Sequence, residues 1–370
     1  MTTIDDVARR AGVARSTVSH ALSGKRHVAS STRDRIIAVV NELGYQPNAA
    51  ARSLVSRRTM TVGLIVPLDL NILAENRYTD FIVGVGDHLN EHGYRLMCLI
   101  DRNPEPLDVQ RLLRSDQVDG TLLLQVRTDD ARVSTLVAEG RPFVTIGRPR
   151  NARGIVRADG DFVNASVVAV DYLARLGHTQ IAYVTTGQGG CPVFGFQWYS
   201  LKGFRQAHRI FGLSLRRDQV LYHEQETYES IEDALAPMLH GTLAVTALVT
   251  PTFVAAALAM RVLAEHGLRV PCDISVIALG DPRLTALSVP SITVVRFSVT
   301  DLANIAVELL LGMLEGRAPA HLEHLVPVEL VIRGSTGPVA STAHCAGGMN
   351  RDYLQPLESG GCQKSTAPAS

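Results

Sequence analysis

Arg15, Ser16, Ser19 and His20 stand at spacings of one and four residues, which gathers four polar side chains on one face of a single helix. The chemistry open to such a face is recognition of nucleic-acid base edges: a guanidinium can pair bidentately with guanine, and hydroxyl and imidazole groups can donate or accept there. A lone surface arginine is ordinarily just solvated, but the charge around this one is organised. Up to residue 60 the chain carries 10 Lys or Arg against 4 Asp or Glu, a net of +6. With 36 of each sign in the whole chain, the rest holds 26 against 32, a net of −6. A basic head on an acidic body suggests a polyanion-binding module beside a unit with another task.

Catalytic patterns are missing by comparison. Gly84 and Gly86 lie inside a helical pattern without the third glycine of a dinucleotide loop, and no G-x-S-x-G, Walker or H-E-x-x-H sequence occurs. His223-Glu224 lacks a second histidine at helical spacing, and His321 and His324 follow Pro319 in an expected solvated loop. The 5 cysteines (98, 191, 272, 345, 362) have no metal-ligand spacing and fit scattered thiols in a reducing cytoplasm. No metal, no cofactor and no enzymatic activity are expected.

The candidate reading face needs helices to hold it. Ile4 to Arg10 reads as a short helix capped by Thr2 or Thr3, with Asp5 and Asp6 in its first turn and Gly12 ending it. A second begins at Arg15, with Val18, Ala21 and Leu22 able to face the first. Ala8 permits a close crossing and Val13 fills the corner, so the pair has helix-turn-helix geometry. A third spans Thr32 to Leu43, opened by a capping-box-like Ser31 and Asp34, with Ile36, Val39, Val40 and Leu43 at helical repeats. The second helix then shows its polar face to a major groove. Residues Ala49 to Ser56, after Pro47-Asn48, are helix-forming in composition but too few to hold alone in water.

From Thr61 the pattern changes. Strands are expected at Thr61–Val66, Tyr94–Ile100, Gly120–Val126 and Pro142–Ile146, alternating with helices at Phe81–His92, Leu107–Ser115 and Ala131–Glu139. A second alternating series begins near Ile155: helices Val163–Leu176, Leu201–Phe211, Ser230–His240 and Thr252–Glu265, with strands Ile181–Val184, Val220–His223, Thr246–Val249 and Ile274–Ala278. Helix Leu302–Leu314 and a strand from Leu325 to Ile332 close the chain. That order predicts two doubly wound α/β lobes. Ligands of such sheets sit beyond the carboxyl ends of the strands, so the cleft between lobes is the expected binding site. Candidates to line it are Asp69, Arg127, Arg148, Asp159, Trp198 and Thr252, with Ser200 at the start of a helix. Trp198, the only tryptophan, offers a face for a sugar ring or for core packing.

The runs Thr3-Ile4-Asp5-Asp6-Val7-Ala8, Ala11-Gly12-Val13, Ser16-Thr17-Val18-Ser19-His20, Leu43-Gly44-Tyr45-Gln46-Pro47-Asn48 and Ala51-Arg52-Ser53-Leu54 resemble the LacI/GalR family of bacterial transcription regulators. So does the ending Val328-Glu329-Leu330-Val331-Ile332-Arg333-Gly334-Ser335-Thr336, with Leu176-Gly177-His178 between, and the resemblance covers about residues 2–338. It implies that Arg15, Ser16 and His20 read bases and that Thr17, Ser19, Lys25 and Arg26 lie near phosphates. It also implies paired hinge helices, with Asn48, Ala51, Arg52 and Leu54 in the minor groove and Leu54 wedged between base pairs. The core would be periplasmic-binding-protein-like, and the partners a palindromic operator, a small-molecule effector such as a carbohydrate, and a second copy of the chain.

The expected division is a helix-turn-helix domain at 1–46, a hinge and linker at 47–60, a two-lobed core at 61–337 and a disordered tail at 338–370. The tail lacks the heptad leucines of tetrameric relatives, which favours a dimer. The sequence departs from its sugar- and purine-responsive relatives at three ligand positions. Ser200 stands where they carry arginine, Gly280 where they tend to carry aspartate, and Pro251-Thr252 where they have Asn-Asp. Those departures imply a changed ligand, or a pocket that uses Arg148 and Asp281 instead. Two other readings stay open: a sensory solute-binding protein whose head is a tether, and an architectural DNA binder without an effector. Met1 to Asp6 has no signal-peptide pattern and no apolar run approaches a membrane span, so a cytoplasmic protein with no membrane partner is expected.

Overall fold

A computed structural model describes residues 2–23, 26–45, 58–67, 77–101, 106–188, 190–280 and 285–339. Lys25, Asn48, Ala51, Arg52, Leu54, Asp69 and Asp281, with the rest of residues 46–57 and with residues 340–370, lie outside the described residues.

Three helices, α1 (Ile4–Ala11), α2 (Arg15–Ser23) and α3 (Ser30–Glu42), enclose a small core of Val7, Ala8, Ala11, Val18, Ala21, Ile36 and Val39. Helix α1 opens with a reciprocal capping box between Thr3 and Asp6, and Gly12 closes it at φ +65°, where a β-carbon would be strained. The third helix departs from expectation: it starts at Ser30, two residues early, and its cap residue Ala29 contributes no side-chain hydrogen bond. Burial of Ile36 and Val39 holds it in place of a cap. Arg10 also ties α1 to α3 through Glu42 at 2.8 Å.

The first lobe is a parallel sheet of β1 (Thr61–Pro67), β2 (Arg95–Asp101), β3 (Gly120–Leu124), β4 (Phe143–Ile146), β5 (Arg157–Gly160) and β12 (Glu323–Val326), in the order β12-β5-β4-β3-β1-β2. Alternation along β1 sends Val62, Leu64 and Val66 to one apolar layer and Ile65 to the other, so both faces are covered. Helices α4 (Arg77–Glu91) and α11 (Val299–Leu314) cover the first face, while α5 (Pro106–Arg114) and α6 (Ala131–Glu139) cover the second.

The second lobe has β6 (Ile181–Gln188), β8 (Val220–His223), β9 (Ala247–Thr250), β10 (Ser275–Leu279) and β11 (Thr293–Phe297) in parallel, and β13 (Val328–Val331) antiparallel to β11 at one edge. The two-residue β7 (Cys191–Pro192) folds back on β6. Helices α7 (Phe162–Arg175), α8 (Gly195–Ile210), α9 (Tyr228–Leu239) and α10 (Phe253–Glu265) complete it.

Three differences from the sequence reading concern how the lobes are joined. Residues 157–160, assigned by sequence to the start of the second series, form β5 of the first lobe; β11 was not anticipated; and the single strand expected from Leu325 to Ile332 is two strands in different sheets, separated by Pro327. Pro327 has no N–H to continue a ladder, and it falls where the chain leaves an edge strand of one sheet for an edge strand of the other. The chain thus passes between lobes three times: after β5, after β11, and between β12 and β13. Two of these crossings touch, since a β-carbon on Gly160 would lie 2.6 Å from the Phe297 ring.

Past Gly334 the chain remains packed. Val339 donates its N–H to Leu176 O at 3.0 Å, and the buried His178 lies 2.9 Å from Gly337 O through Nε2 and 3.0 Å from Thr246 Oγ1 through Nδ1.

Candidate nucleic-acid interface and interlobe seam

Helix α2 lays Val18 and Ala21 against the core, and the same periodicity leaves Arg15, Ser16 and Ser19 exposed and Thr17 and His20 half-buried. Arg15 lies 3.8 Å from Asp5, an exposed ion pair that holds it weakly. Arg26 is exposed on the following segment. The predicted reading face is therefore a surface in the three-helix unit, with the guanidinium free to exchange Asp5 for a base edge or phosphate. His20→Ala is expected to weaken binding to a selected site about tenfold or more while leaving nonspecific affinity nearly unchanged. Arg26→Ala should instead weaken all sequences alike and lower the salt slope. Fluorescence anisotropy on specific and scrambled duplexes checks both, and an intact sequence preference in His20→Ala would remove the reading role.

The second site is the seam between lobes. The segment after β3 turns sharply at Gln125, which adopts φ +55°, and a buried ion pair fixes the turn. Arg132 donates from Nη2 to Asp130 Oδ2 at 2.7 Å, from Nε to Oδ1 at 3.0 Å, and from Nη2 to Gln125 O at 3.0 Å, with both charged side chains almost wholly buried. Burial raises the Asp130 carboxyl, but the Arg132 guanidinium and the backbone N–H groups of Arg127 and Arg132 outweigh it and hold it below the usual carboxylate range. So braced, residues 126–128 meet the first turn of α8 from the other lobe. Gly195 N–H donates to Val126 O at 3.0 Å, Thr128 N–H donates to Val193 O at 2.9 Å, and Arg127 bridges Phe194. Gly195 is required by proximity, since a β-carbon there would sit 1.9 Å from Arg148 O.

Arg148 lies in this seam. It donates to Asp159 Oδ2 at 2.9 Å and to Glu323 Oε1 at 3.5 Å, its guanidinium stacks 3.8 Å from the Tyr199 ring centre, and its buried Nη2 has no partner among the described residues. Burial pushes the Asp159 carboxyl up to about 6, against the pull of Arg148. Arg127, Arg148 and Asp159 are thus gathered on one side. Trp198, in the first turn of α8, lies across from them and 5.5 Å from the Arg150 guanidinium.

Two candidates have other occupations. Ser200 was expected at the start of a helix, but α8 begins five residues earlier, at Gly195; Ser200 is fully buried, bonded to Tyr183 Oη at 2.5 Å and to Phe196 O at 2.8 Å. Thr252 caps α10 by accepting Ala255 N–H and donates its hydroxyl to Glu226. Neither leaves an obvious free donor for a ligand.

Two features here went unread in the sequence: a phenylalanine cluster and the desolvation of His223. Phe162, Phe194, Phe196 and Phe297 converge at the crossings, with ring centres 5.3 to 6.0 Å apart. The signal was the Phe194-Gly195-Phe196 run, which places two rings around an obligatory small residue. His223 is the other. It ends β8, donates from Nδ1 to Gln225 O at 3.0 Å, and leaves a buried Nε2 without a partner among the described residues. Burial pushes it down to about 4. The folded value lies below the ordinary 6.5, so its contribution to stability is complete above pH 6.5 and is lost as pH falls toward 4. His223→Gln is expected to reduce the acid loss of stability by about 2 kcal/mol or more at pH 4.5, read from urea unfolding at pH 7 and 4.5. An unchanged difference between the two pH values would mean that Nε2 is not desolvated.

A small basic helix-turn-helix unit followed by two doubly wound α/β lobes is the architecture of a DNA-binding regulator, and comparison with known proteins gives its family. Residues 3–48 match "Bacterial regulatory proteins, lacI family" and residues 170–336 match "Periplasmic binding protein-like domain". The chain is 31% identical over 339 residues to the HTH-type transcriptional regulator CelR of Thermobifida fusca, covering 90% of this chain and 98% of that one. A solved CelR–cellobiose complex superposes with a TM-score of 0.67 at 28% identity, over 90% of this chain and 100% of that one. The lac repressor dimer bound to operator and the anti-inducer ONPF shares the fold, with a TM-score of 0.77 at 23% identity over 91% and 99% of the two chains. The chain belongs to the LacI family of bacterial transcription regulators.

Proposed function

We propose that this regulator represses transcription as a homodimer on a palindromic operator, and that a small polar ligand of the saccharide class, bound between the lobes, changes its operator affinity. The observation that carries the reading is the combination of an exposed polar face on α2 with a seam where Arg148, Asp159, Tyr199 and four phenylalanines meet. Aromatic faces with a few fixed polar groups suit a sugar ring, and the structure of the similar CelR contains cellobiose. The reading face divides as Arg15, Ser16 and His20 on bases and Thr17, Ser19, Lys25 and Arg26 on phosphates. Residues Asn48, Ala51, Arg52 and Leu54 enter the minor groove.

The working division is a reader at 1–46, a hinge at 47–60, a core at 61–337 and a tail at 338–370. The ligand acts only through its differential affinity for the two lobe arrangements, one of which brings the paired hinges together. The protein works in the cytoplasm without catalysis; among the described residues no helix is long and apolar enough to cross a membrane.

The test is operator binding by fluorescence anisotropy in the presence of a panel of mono- and disaccharides. At least one sugar is expected to shift operator affinity tenfold or more and to raise the melting temperature of the free protein. Operator binding that no member changes, with an unmoved melting temperature, would favour the architectural reading.

A further inference from the structure

We propose that His88, His92 and Glu308 form a binding site for a divalent transition-metal ion of the zinc class on the first lobe, away from both the reading face and the seam. His88, in the last turn of α4, and His92, the residue after its end, are four apart and lie on one side, and Glu308 comes from the neighbouring α11. The two helices approach closely one turn earlier, where a β-carbon on Gly84 would lie 3.3 Å from Ala303 Cβ, and this brings Glu308 within reach.

The atoms that would bind metal already converge. Glu308 Oε1 lies 2.9 Å from His88 Nε2 and 3.6 Å from His92 Nε2, and the three ligand atoms lie within 4.8 Å of one another. A tetrahedral zinc ion with bonds of about 2.0–2.1 Å separates its ligand atoms by about 3.3 Å, so small rotations suffice to seat it. The outer nitrogens are also occupied in the way metal-binding histidines require. His92 Nδ1 is 2.9 Å from His88 O, and His88 Nδ1 is 3.3 Å from Glu91 Oε2, a carboxylate–histidine pair. With the protons on Nδ1, donated to those acceptors, both Nε2 lone pairs face the Glu308 carboxylate. Three acceptors then face one point, and a cation completes the arrangement. Side-chain exposures of 18% for His88, 41% for His92 and 53% for Glu308 leave room for a water as fourth ligand.

The other histidine pair offers an internal contrast. His324 spends Nε2 on His321 O at 3.1 Å, and the two rings stand 6.4 Å apart. An ion at the proposed site would fasten α4 to α11, the helix that follows the crossing from β11, and so stiffen the first lobe.

The experiment uses tag-free, full-length protein freed of metal with a chelator, titrated with Co2+ followed by visible absorption and with Zn2+ followed by calorimetry. One equivalent of each is expected to bind in the micromolar range or tighter, with Zn2+ displacing Co2+. His92→Ala and Glu308→Gln should each weaken binding at least tenfold, and Glu91→Gln, which removes a positioning group, about tenfold to a hundredfold with the stoichiometry kept. The His321→Ala/His324→Ala variant should bind like wild type. Melting temperatures in chelator verify that each exposed-site variant is folded. No saturable binding by wild type, or equal binding by wild type and a His88→Ala/His92→Ala variant, would overturn the proposal, leaving the cluster as a surface ion pair of protonated histidine with Glu308.

Discussion

Arg132→Ala is expected to lower the stability of the core by about 3–5 kcal/mol, the cost of leaving one buried charge without its partner. Asp130 accepts four hydrogen bonds: from Arg132 Nε and Nη2, and from the N–H groups of Arg127 and Arg132. With the guanidinium gone, the carboxylate keeps its burial and loses the group that outweighs it, so it takes up a proton or draws in water. Gln125 O loses its donor as well. Calorimetry should show a drop of about 2–4 °C in melting temperature for each kcal/mol lost. Arg132→Met/Asp130→Leu removes both charges together and should recover much of the loss. If Arg132→Ala melts within a degree of wild type, the pair does not brace the turn.

Gly195→Ala should have the second large effect, and its signature differs. The added methyl would meet the carbonyl of Arg148 at 1.9 Å, backbone against backbone, so no side-chain rotation relieves it and the two lobes must part at this edge. Overpacking of this kind costs about 1–3 kcal/mol. Because the contact lies between lobes, the seam through which a ligand would act is altered too. The expected outcome is a shifted operator affinity with ligand dependence reduced severalfold or lost. Gly203→Ala provides the comparison: its methyl would lie 2.2 Å from Val163 O, but within the second lobe between α7 and α8. That variant should lose stability while its remaining folded fraction keeps ligand dependence. Equal effects on ligand dependence would mean that the seam has no special part in coupling.

The head was legible because its signals are local. Thr3, Asp6, Gly12, Val18 and Ala21 each act within a turn or two of their own position, and the polar face of α2 is a periodicity. The third helix shows the limit of such signals: Ser31 and Asp34 suggested a cap, but tertiary burial of Ile36 and Val39 set the start at Ser30. The alternating order of strands and helices in the core was legible for the same reason. How the strands divide between sheets was not, because periodicity carries no information about which lobe a strand joins. Pro327 was the one local clue that the last strand is two.

The seam was partly legible. Arg148 and Asp159 are charged residues near strand ends, and the structure pairs them. Ser200 drew notice because relatives place arginine there, yet its hydroxyl is spent on Tyr183 and its own helix, a contact between residues 17 apart that no spacing rule supplies. His223 was read only for metal-ligand spacing, which says nothing of its desolvation, and the phenylalanines come from two helices, a cap and a strand far apart in sequence, so no local pattern joins them.

Site selection from a random duplex pool by purified full-length protein, at a stated salt concentration, tests the central claim most directly. The account predicts an enriched palindrome, two half-sites about a deformable centre, that a His20→Ala protein enriches poorly or reads with altered base preference. A pool without any enriched motif, bound with equal affinity by wild type and His20→Ala, would contradict it.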